Sequence, residues 1–126
     1  MFPARQTVVI VDDDRDVGVA LVHGLTVFGY QTELFESSIE CLSAHVTRVA
    51  ACFVIDVHLN EECGIDLLTQ LTAMGIEAPA IHMSGAATDV VCQKSLESGS
   101  AAFLKKPFSV QELVRTIEKV TGRPAR

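Results

Sequence analysis

Four short apolar segments of this sequence end at polar residues that could take part in covalent or ionic chemistry. These residues are Asp12 with Asp13, Asp56, Ser84 and Lys106. Clustered carboxylates repel one another unless a cation lies among them, and Mg²⁺ is held by one or two carboxylates together with water and phosphate oxygens. A carboxylate can also act as a nucleophile, while a hydroxyl and an ammonium group can hold the oxygens of a transferring phosphoryl group. The set therefore indicates phosphoryl transfer, if the fold brings its members together.

Each of these residues also has a simpler interpretation when it is taken alone. The run from Asp12 to Asp14 could be an acidic helix start, which the helix dipole favours. Asp56 and Ser84 are ordinary residue types for turns and loops. Lys106 could be a surface lysine before a rigid proline, Pro107. The functional interpretation depends on the conjunction, because chance would have to place all of them on one edge of the fold.

The elements that would bring these residues together are predicted from short apolar runs that alternate with longer amphipathic patterns. The runs resemble buried strands and cover 7–11, 31–35, 51–55, 79–83 and 101–104. The apolar stripe of the second helix is predicted to be Ile39, Leu42 and Val46, and a weaker fourth helix over 87–97 carries Val90, Val91 and Leu96. Five strands that alternate with five helices predict an α/β fold with a parallel sheet covered on both faces. The carboxyl ends of such strands share one edge, where open α/β folds bind ligands.

Composition bounds the remaining classes of function. The chain has 126 residues, 48% of them hydrophobic, and a formal net charge of −6, which fits a single packed domain and gives no basic field for nucleic acid. Its four cysteines have no close spacing and are expected to be free thiols in a reducing cytosol. Residues 1–6 show no apolar signal region and no stretch reaches membrane-span length, so we expect a soluble, cytoplasmic protein.

In their order and position, these residues resemble the response-regulator receiver family of bacterial two-component systems, over about residues 7–120. The resemblance implies a doubly wound, flavodoxin-like (βα)5 fold with strand order 2-1-3-4-5. It implies that Asp56 accepts a phosphoryl group from a sensor histidine kinase with the help of Ser84 and Lys106. Mg²⁺ would be held by Asp13, Asp56 and the backbone carbonyl of His58, with Asp12 binding through a water. Ser84 and Phe103 would form the switch, Gly64 would open the third helix, and the Lys106–Pro107 peptide bond would be cis.

The resemblance also bears on what surrounds the domain. Ser84-Gly85 and Lys106-Pro107-Phe108 look like FixJ-type regulators, many of which carry a LuxR-type DNA-binding domain after the receiver. Residues 1–126 are therefore expected to form one receiver domain with a core at about 7–121, and 122–126 to be a tail or the start of a linker. Phosphorylation would change the face formed by the fourth helix, fifth strand and fifth helix, through which a homodimer could form. The domain would catalyse only its own phosphorylation and dephosphorylation, and would not bind nucleic acid or membranes itself.

Some positions depart from the family pattern or stand outside it. Asn60 replaces a common proline, which suggests a more mobile loop, and Ala102 replaces a residue that is often acidic. His58 and Ala86 are expected to flank the phosphoryl group, where such positions tune its lifetime. His82, inside the fourth strand, is interpreted as a partly buried histidine bonded to a neighbour, and not as a catalytic residue.

Three other classes of protein remain as alternatives. A hydrolase of the haloacid-dehalogenase type would use Asp12 and Asp14 with Ser84 and Lys106, but it leaves Asp56 without a role. A flavodoxin-like binder of flavin mononucleotide needs a phosphate loop after the first strand, where the aspartates would repel the ligand. A pseudo-receiver would keep the fold and take no phosphate.

Overall fold

The computed structural model describes residues 5–86 and 88–125, in which strands and helices alternate as predicted. The strands of the main sheet are β1 (Thr7–Val11), β2 (Gln31–Phe35), β3 (Cys52–Asp56), β4 (Ala80–Ser84) and β5 (Ala102–Lys105). The helices are α1 (Arg15–Val27), α2 (Ser38–Ser43), α3 (Gly64–Ala73), α4 (Asp89–Glu97) and α5 (Val110–Thr121). Residues 1–4, 87 and 126 lie outside the described residues. The predictions for the N-terminus, for the start of the fourth helix and for the tail are therefore only partly covered by the structure.

All five strands are parallel and lie in the order β2-β1-β3-β4-β5. This is the doubly wound, flavodoxin-like order that the family resemblance implies, and the predicted fold class is confirmed. The order reverses direction at β1, between β2 and β3, so the crevice at the carboxyl ends of β1 and β3 is the expected place for a ligand.

Alternation of side chains along the strands builds one apolar core on each face of the sheet. On one face, Val8 and Ile10 of β1 pack with residues of α1 and α5, including Leu25 and Ile117. On the other face, Phe53 and Ile55 of β3 belong to a core with residues of α2 and α3. Because both faces are covered, the strands are continuous apolar runs in the sequence, which explains why their positions could be predicted.

The ends of the helices follow from local capping chemistry. The side chains of Asp14, Ser37, Thr88 and Ser109 accept hydrogen bonds from backbone amides in the first turns of α1, α2, α4 and α5. At the other end of α5, Gly122 caps the helix with φ 68°, a left-handed conformation that glycine adopts without strain.

The apolar pattern predicted for the second helix is wrong. Ile39 is 70% exposed, and Val46 falls in a separate 3₁₀ helix, His45–Arg48. α2 ends at Ser43 because Ala44 is extended and the Thr47 hydroxyl donates to the Cys41 carbonyl oxygen over 2.6 Å. Helical spacing therefore does not continue to residue 46.

The apolar pattern predicted for the fourth helix is also wrong. Val90 and Leu96 are 63% and 48% exposed, and Ser95 is the residue of α4 that is fully buried. With about 100° between successive residues of a helix, Val90, Val91 and Leu96 point in three different directions and define no common face. The inward arc instead carries Val91, Cys92 and Ser95.

Two further differences concern the sheet edge that was predicted to carry the site. The strands β3, β4 and β5 each begin and end one residue later than predicted, so Asp56 and Ser84 are the last residues of their strands. The predicted polar loop after β3 contains a small antiparallel hairpin, in which His58–Leu59 pairs with Glu62–Cys63 and Leu59 is buried. In the part of the chain that the structure describes, no helix is long and apolar enough to cross a membrane.

Candidate phosphorylation site

Lys106 joins the carboxylates at the ends of two neighbouring strands. Its Nζ atom lies 2.7 Å from Asp56 Oδ2 and 3.0 Å from Asp12 Oδ2. The lysine reaches this position because its backbone amide donates to the Ser84 carbonyl oxygen over 2.9 Å, which continues the pairing of β5 with β4. The Lys106–Pro107 peptide bond that follows is cis. The ends of β1, β3, β4 and β5 are therefore brought together, as the functional interpretation requires.

The three consecutive aspartates after β1 have three different partners. Asp14 is the N-cap of α1 and accepts from the Asp16 amide over 3.1 Å. Asp12 is fully buried, and its Oδ1 atom accepts from the Asp14 amide over 2.9 Å. Asp13 accepts at Oδ2 from the amide of Asn60, over 2.8 Å. The helix-cap interpretation therefore holds for Asp14, while Asp12 and Asp13 face the site.

Asp56 is held by its own loop as well as by Lys106. Its Oδ1 atom accepts from the amide of His58 over 2.9 Å, so both carboxylate oxygens have a hydrogen-bond partner. The residue is only 6% exposed, and its carbonyl oxygen lies against the backbone of Gly64. A carboxylate fixed in this way is oriented before any donor arrives, which favours its use as a nucleophile.

Burial and charge shift the titration of the two groups that lie deepest. Burial raises the pKa of Asp12, although the Asp14 amide and Lys106 act in the opposite direction. For Lys106, burial would lower the pKa, but the hydrogen bonds to Asp56 and Asp12 outweigh it and raise the pKa above its usual value. The lysine therefore remains an ammonium ion at neutral pH and supplies positive charge at the strand ends.

The carboxylates of Asp12, Asp13 and Asp56 fit a divalent cation with oxygen ligands. Each offers one oxygen, and these oxygens lie within 4.8 Å of one another. Opposite ligands of an octahedral Mg²⁺ are separated by about 4 Å, so small side-chain movements would suffice to share an ion. The predicted part of the His58 carbonyl stays a prediction, since the contact of His58 at the site is made by its amide.

The predicted switch residues lie in β4 and β5, and among the described residues the Ser84 hydroxyl bonds to its own loop and not to this cluster. Ser84 is fully buried, and its hydroxyl oxygen accepts from the Ala86 amide over 3.0 Å. Phe103 is partly buried in β5, and the strand register places it beside His82. Gly64 opens α3, as the resemblance implies.

Two participants were missed or underrated from the sequence. Asn60 has φ 47° and contributes its backbone amide to Asp13. Asparagine is one of the few residue types enriched in that left-handed region, and this was the available signal. His82 is fully buried and bonds to two different elements, through Ser95 and Gly64. Its position within an apolar strand predicted one such bond and could not reveal the second.

The comparison with known families agrees with this geometry. Residues 8–118 match the family model described as the response regulator receiver domain. The chain belongs to this family.

Individual relatives show the same relationship. Nodulation protein W of Bradyrhizobium diazoefficiens is 30% identical over 119 residues, which cover 94% of this chain and 52% of that protein. The response regulator protein TodT of Pseudomonas putida is 31% identical over 117 residues, covering 93% of this chain and 52% of TodT. The crystal structure of FixJ-N superposes with a TM-score of 0.85 at 26% identity, covering 95% of this chain and 96% of that one. The chain thus spans about half the length of the curated relatives it matches.

Proposed function

We propose that Asp56 is the phosphoacceptor of this receiver domain and takes a phosphoryl group from a sensor histidine kinase in a reaction that requires Mg²⁺. The observation that carries the proposal is the ammonium group of Lys106, which lies between Asp56 and Asp12 with Asp13 in range to share a cation. Membership of the receiver family supports the phosphoacceptor role.

The chemistry follows from the positions of the side chains. A carboxylate oxygen of Asp56 forms a bond to phosphorus, the bond between phosphorus and the imidazole nitrogen of the donor breaks, and its electron pair stays on that nitrogen. Lys106 neutralises charge on the phosphoryl oxygens, and the hydroxyl of Ser84 turns from the Ala86 amide to bond one of them. Asp13, Asp56 and, through a water, Asp12 would hold Mg²⁺, which supplies further neutralisation of the transferred group.

Two features favour Asp56 over Asp12 as the nucleophile. Asp12 is fully buried, whereas Asp56 is 6% exposed and can be reached by a phosphoryl donor. In addition, the carboxylate of Asp14, which the haloacid-dehalogenase interpretation would use together with Asp12, is engaged as the cap of α1. Both features count against the hydrolase alternative.

The consequence of phosphorylation is proposed to be a shift between two conformations of α4, β5 and α5. Ser84 moves toward the phosphoryl group, and Phe103 turns toward the space it leaves. A partner or a second copy of the chain then recognises the changed face, and a DNA-binding domain in the full-length regulator converts this into control of transcription. The domain itself would bind no nucleic acid and catalyse only its own phosphorylation and dephosphorylation.

Intact-mass measurement tests the central step. The chain is incubated with acetyl phosphate and Mg²⁺ and compared with Asp56→Ala and with Asp66→Ala, which removes an exposed aspartate of α3. We expect one added phosphoryl group on the unchanged chain and on Asp66→Ala, and none on Asp56→Ala or in the absence of Mg²⁺. The assignment would be overturned if Asp56→Ala still gained a phosphoryl group while Asp12→Asn did not.

A further inference from the structure

His82 is a buried titratable residue that the proposed phosphoryl chemistry does not use. Its side chain lies inside β4, with Nδ1 2.7 Å from the Ser95 hydroxyl oxygen and Nε2 3.0 Å from the Gly64 carbonyl oxygen. A carbonyl oxygen can only accept, so Nε2 carries the proton. In a neutral ring, Nδ1 then accepts from the hydroxyl of Ser95. The imidazole therefore makes a directed bridge between the start of α3 and the last turn of α4.

The neutral form is the one that this environment favours. Burial lowers the pKa of His82, and the Gly64 carbonyl opposes this effect only in part. The tautomer with the proton on Nε2 satisfies both neighbours at once, so the bridge is complete without a charge.

One end of this bridge is attached to the phosphoacceptor. The backbone of Gly64 packs against the Asp56 carbonyl oxygen, and its amide donates to the Val57 carbonyl oxygen over 2.8 Å. A displacement of the end of β3, which carries Asp56, would therefore also displace Gly64. The hydrogen bond from His82 to the Gly64 carbonyl oxygen would transmit that displacement to the imidazole.

The other end of the bridge contacts α4, whose inward arc has only two partly buried side chains, Val91 and Cys92, beside Ser95. Among its described residues, α4 contributes no side chain to either apolar core, and Ser95 is its one fully buried residue. Val90 and Leu96 face outward. Most helices in proteins are held by an apolar face, so in α4 the hydroxyl contact carries an unusually large share of the positioning.

The bridge also lies between the two predicted switch residues. His82 and Ser84 point to the same face of β4, because they are two residues apart in one strand. Phe103 is the register partner of His82 in β5, on that same face. The imidazole thus lies beside both predicted switch residues on the face of the sheet that contacts α4.

We propose that His82 is a positioning residue that couples α4 to the phosphorylation site through Ser95 and Gly64. The proposal rests on the proposed function, since it concerns how a change at Asp56 reaches α4. It assigns the coupling to a hydrogen-bonded bridge inside the domain, in addition to the movement of Ser84 and Phe103.

The first test needs no phosphorylation. Nitrogen-15 NMR of the imidazole should show Nε2 protonated and Nδ1 as a hydrogen-bond acceptor, and Ser95→Ala should move the Nδ1 resonance while leaving Nε2 in place. Hydrogen exchange of the α4 amides should become about fivefold faster in Ser95→Ala, the loss expected for one net hydrogen bond. Ser98→Ala is the matched control, because the Ser98 hydroxyl donates to the Ser95 carbonyl oxygen and does not reach His82.

The second test measures coupling with BeF₃⁻ and Mg²⁺, which stand in for the phosphoryl group. In the unchanged chain and in Ser98→Ala, adding BeF₃⁻ and Mg²⁺ should shift the backbone amide NMR signals of residues 56–60 and those of α4. In Ser95→Ala the shifts at 56–60 should persist, while those of α4 should fall by at least half. His82→Asn can place its amide oxygen near the position of Nδ1 and should preserve more of the α4 response than His82→Gln, whose amide group extends to the position of Nε2.

The outcomes separate the two proposals. If BeF₃⁻ shifts no amide near Asp56 in the unchanged chain, the proposed function fails, and the imidazole spectrum and exchange rates still decide whether the bridge exists. If residues 56–60 respond and α4 responds equally in Ser95→Ala, the coupling role of His82 is overturned. An Nδ1 resonance that is the same in Ser95→Ala and in the unchanged chain would overturn the bridge itself.

Discussion

Gly64 lies so close to the backbone of Asp56 that there is no room for a side chain between them. A Cβ atom on Gly64 would overlap the Asp56 carbonyl oxygen and come within 2.8 Å of Ile55 Cγ2. The end of β3 and the start of α3 are thus packed backbone against backbone directly beneath the candidate phosphoacceptor. Neither side of this contact is a flexible side chain that could move away.

Gly64→Ala is therefore expected to lower the free energy of unfolding by about 3 kcal/mol, the upper end of the usual range for overpacked sites. Urea unfolding followed by circular dichroism measures the difference. Gly85→Ala is the control, because a Cβ atom at Gly85 meets nothing within 4 Å, and its effect should stay within about 0.5 kcal/mol. Equal effects of the two substitutions would show that the contact with Asp56 is not tight.

Much of the fold and of the site follows from the sequence for a simple physical reason. Strands buried on both faces are continuous apolar runs, and a polar residue that ends such a run must emerge at the edge of the sheet. Asp56, Ser84 and Lys106 could be assigned to one edge on that basis, and the parallel topology brings them together.

The parts that could not be predicted depend on contacts between elements. The fully buried residue of α4 is Ser95, which hydropathy would place on the surface; it can be buried because His82 offers it a hydrogen-bond partner. The hairpin after β3 has only two residues in each strand, too few for any pattern to appear. The amide of Asn60 bonds to Asp13, which is 47 positions away in the sequence. Turn and capping patterns relate residues only a few positions apart, so they could not predict this contact.

The contact between Asn60 and Asp13 gives a second prediction. Proline at this position has no amide hydrogen and cannot adopt φ 47°, so Asn60→Pro loses the hydrogen bond and distorts the turn. We expect a loss of about 2 kcal/mol in stability and weaker binding of Mg²⁺. Asn60→Gly keeps the amide and tolerates the positive φ, and should change both quantities little. The measurements are urea unfolding and titration with Mg²⁺; equal behaviour of the two variants would contradict the assigned role of the amide.

The clustered carboxylates give a third prediction. Without a metal ion, the single ammonium group of Lys106 offsets only part of the repulsion among Asp12, Asp13 and Asp56. Asp13→Asn removes one negative charge, while its amide oxygen can still accept from Asn60. Without Mg²⁺ the variant should melt at a higher temperature than the unchanged chain. At about 100 times the dissociation constant, Mg²⁺ should stabilise the unchanged chain by about 2.7 kcal/mol and the variant much less. Thermal melts with and without Mg²⁺ measure both effects, with Asp66→Asn as a control, and equal stabilisation of all three chains would exclude Asp13 as a ligand.

The position of Lys106 between two carboxylates gives a fourth prediction, tested with Lys106→Met. The control is Lys105→Met, which removes the same charge from an exposed neighbouring residue. Lys106→Met leaves Asp12 and Asp56 without their ammonium partner, and phosphorylation by acetyl phosphate should slow by about a hundredfold or more. Because the folded state raises the pKa of Lys106 above 10.5, its contribution to stability is fully present below that pH and is lost as the pH rises through the folded pKa. The stability difference between Lys106→Met and the unchanged chain should thus be constant near neutral pH and narrow only in strong alkali. A similar rate loss in Lys105→Met would show that general charge, and not the contact with Asp56, is responsible.

The buried imidazole of His82 gives a fifth prediction, about acid stability. Burial lowers its pKa below 6.5, so between the folded pKa and 6.5 the unfolded chain binds a proton that the folded chain does not. The stability that depends on neutral His82 is therefore present above pH 6.5 and is lost as the pH falls through the folded pKa. In this window the free energy of unfolding should fall by up to about 1.4 kcal/mol per pH unit. Urea unfolding at successive pH values measures the slope, which His82→Gln should reduce and which His23→Gln, on an exposed position of α1, should leave in place. If His82→Gln keeps the full slope, the acid sensitivity arises from another group, and burial of the imidazole is not its cause.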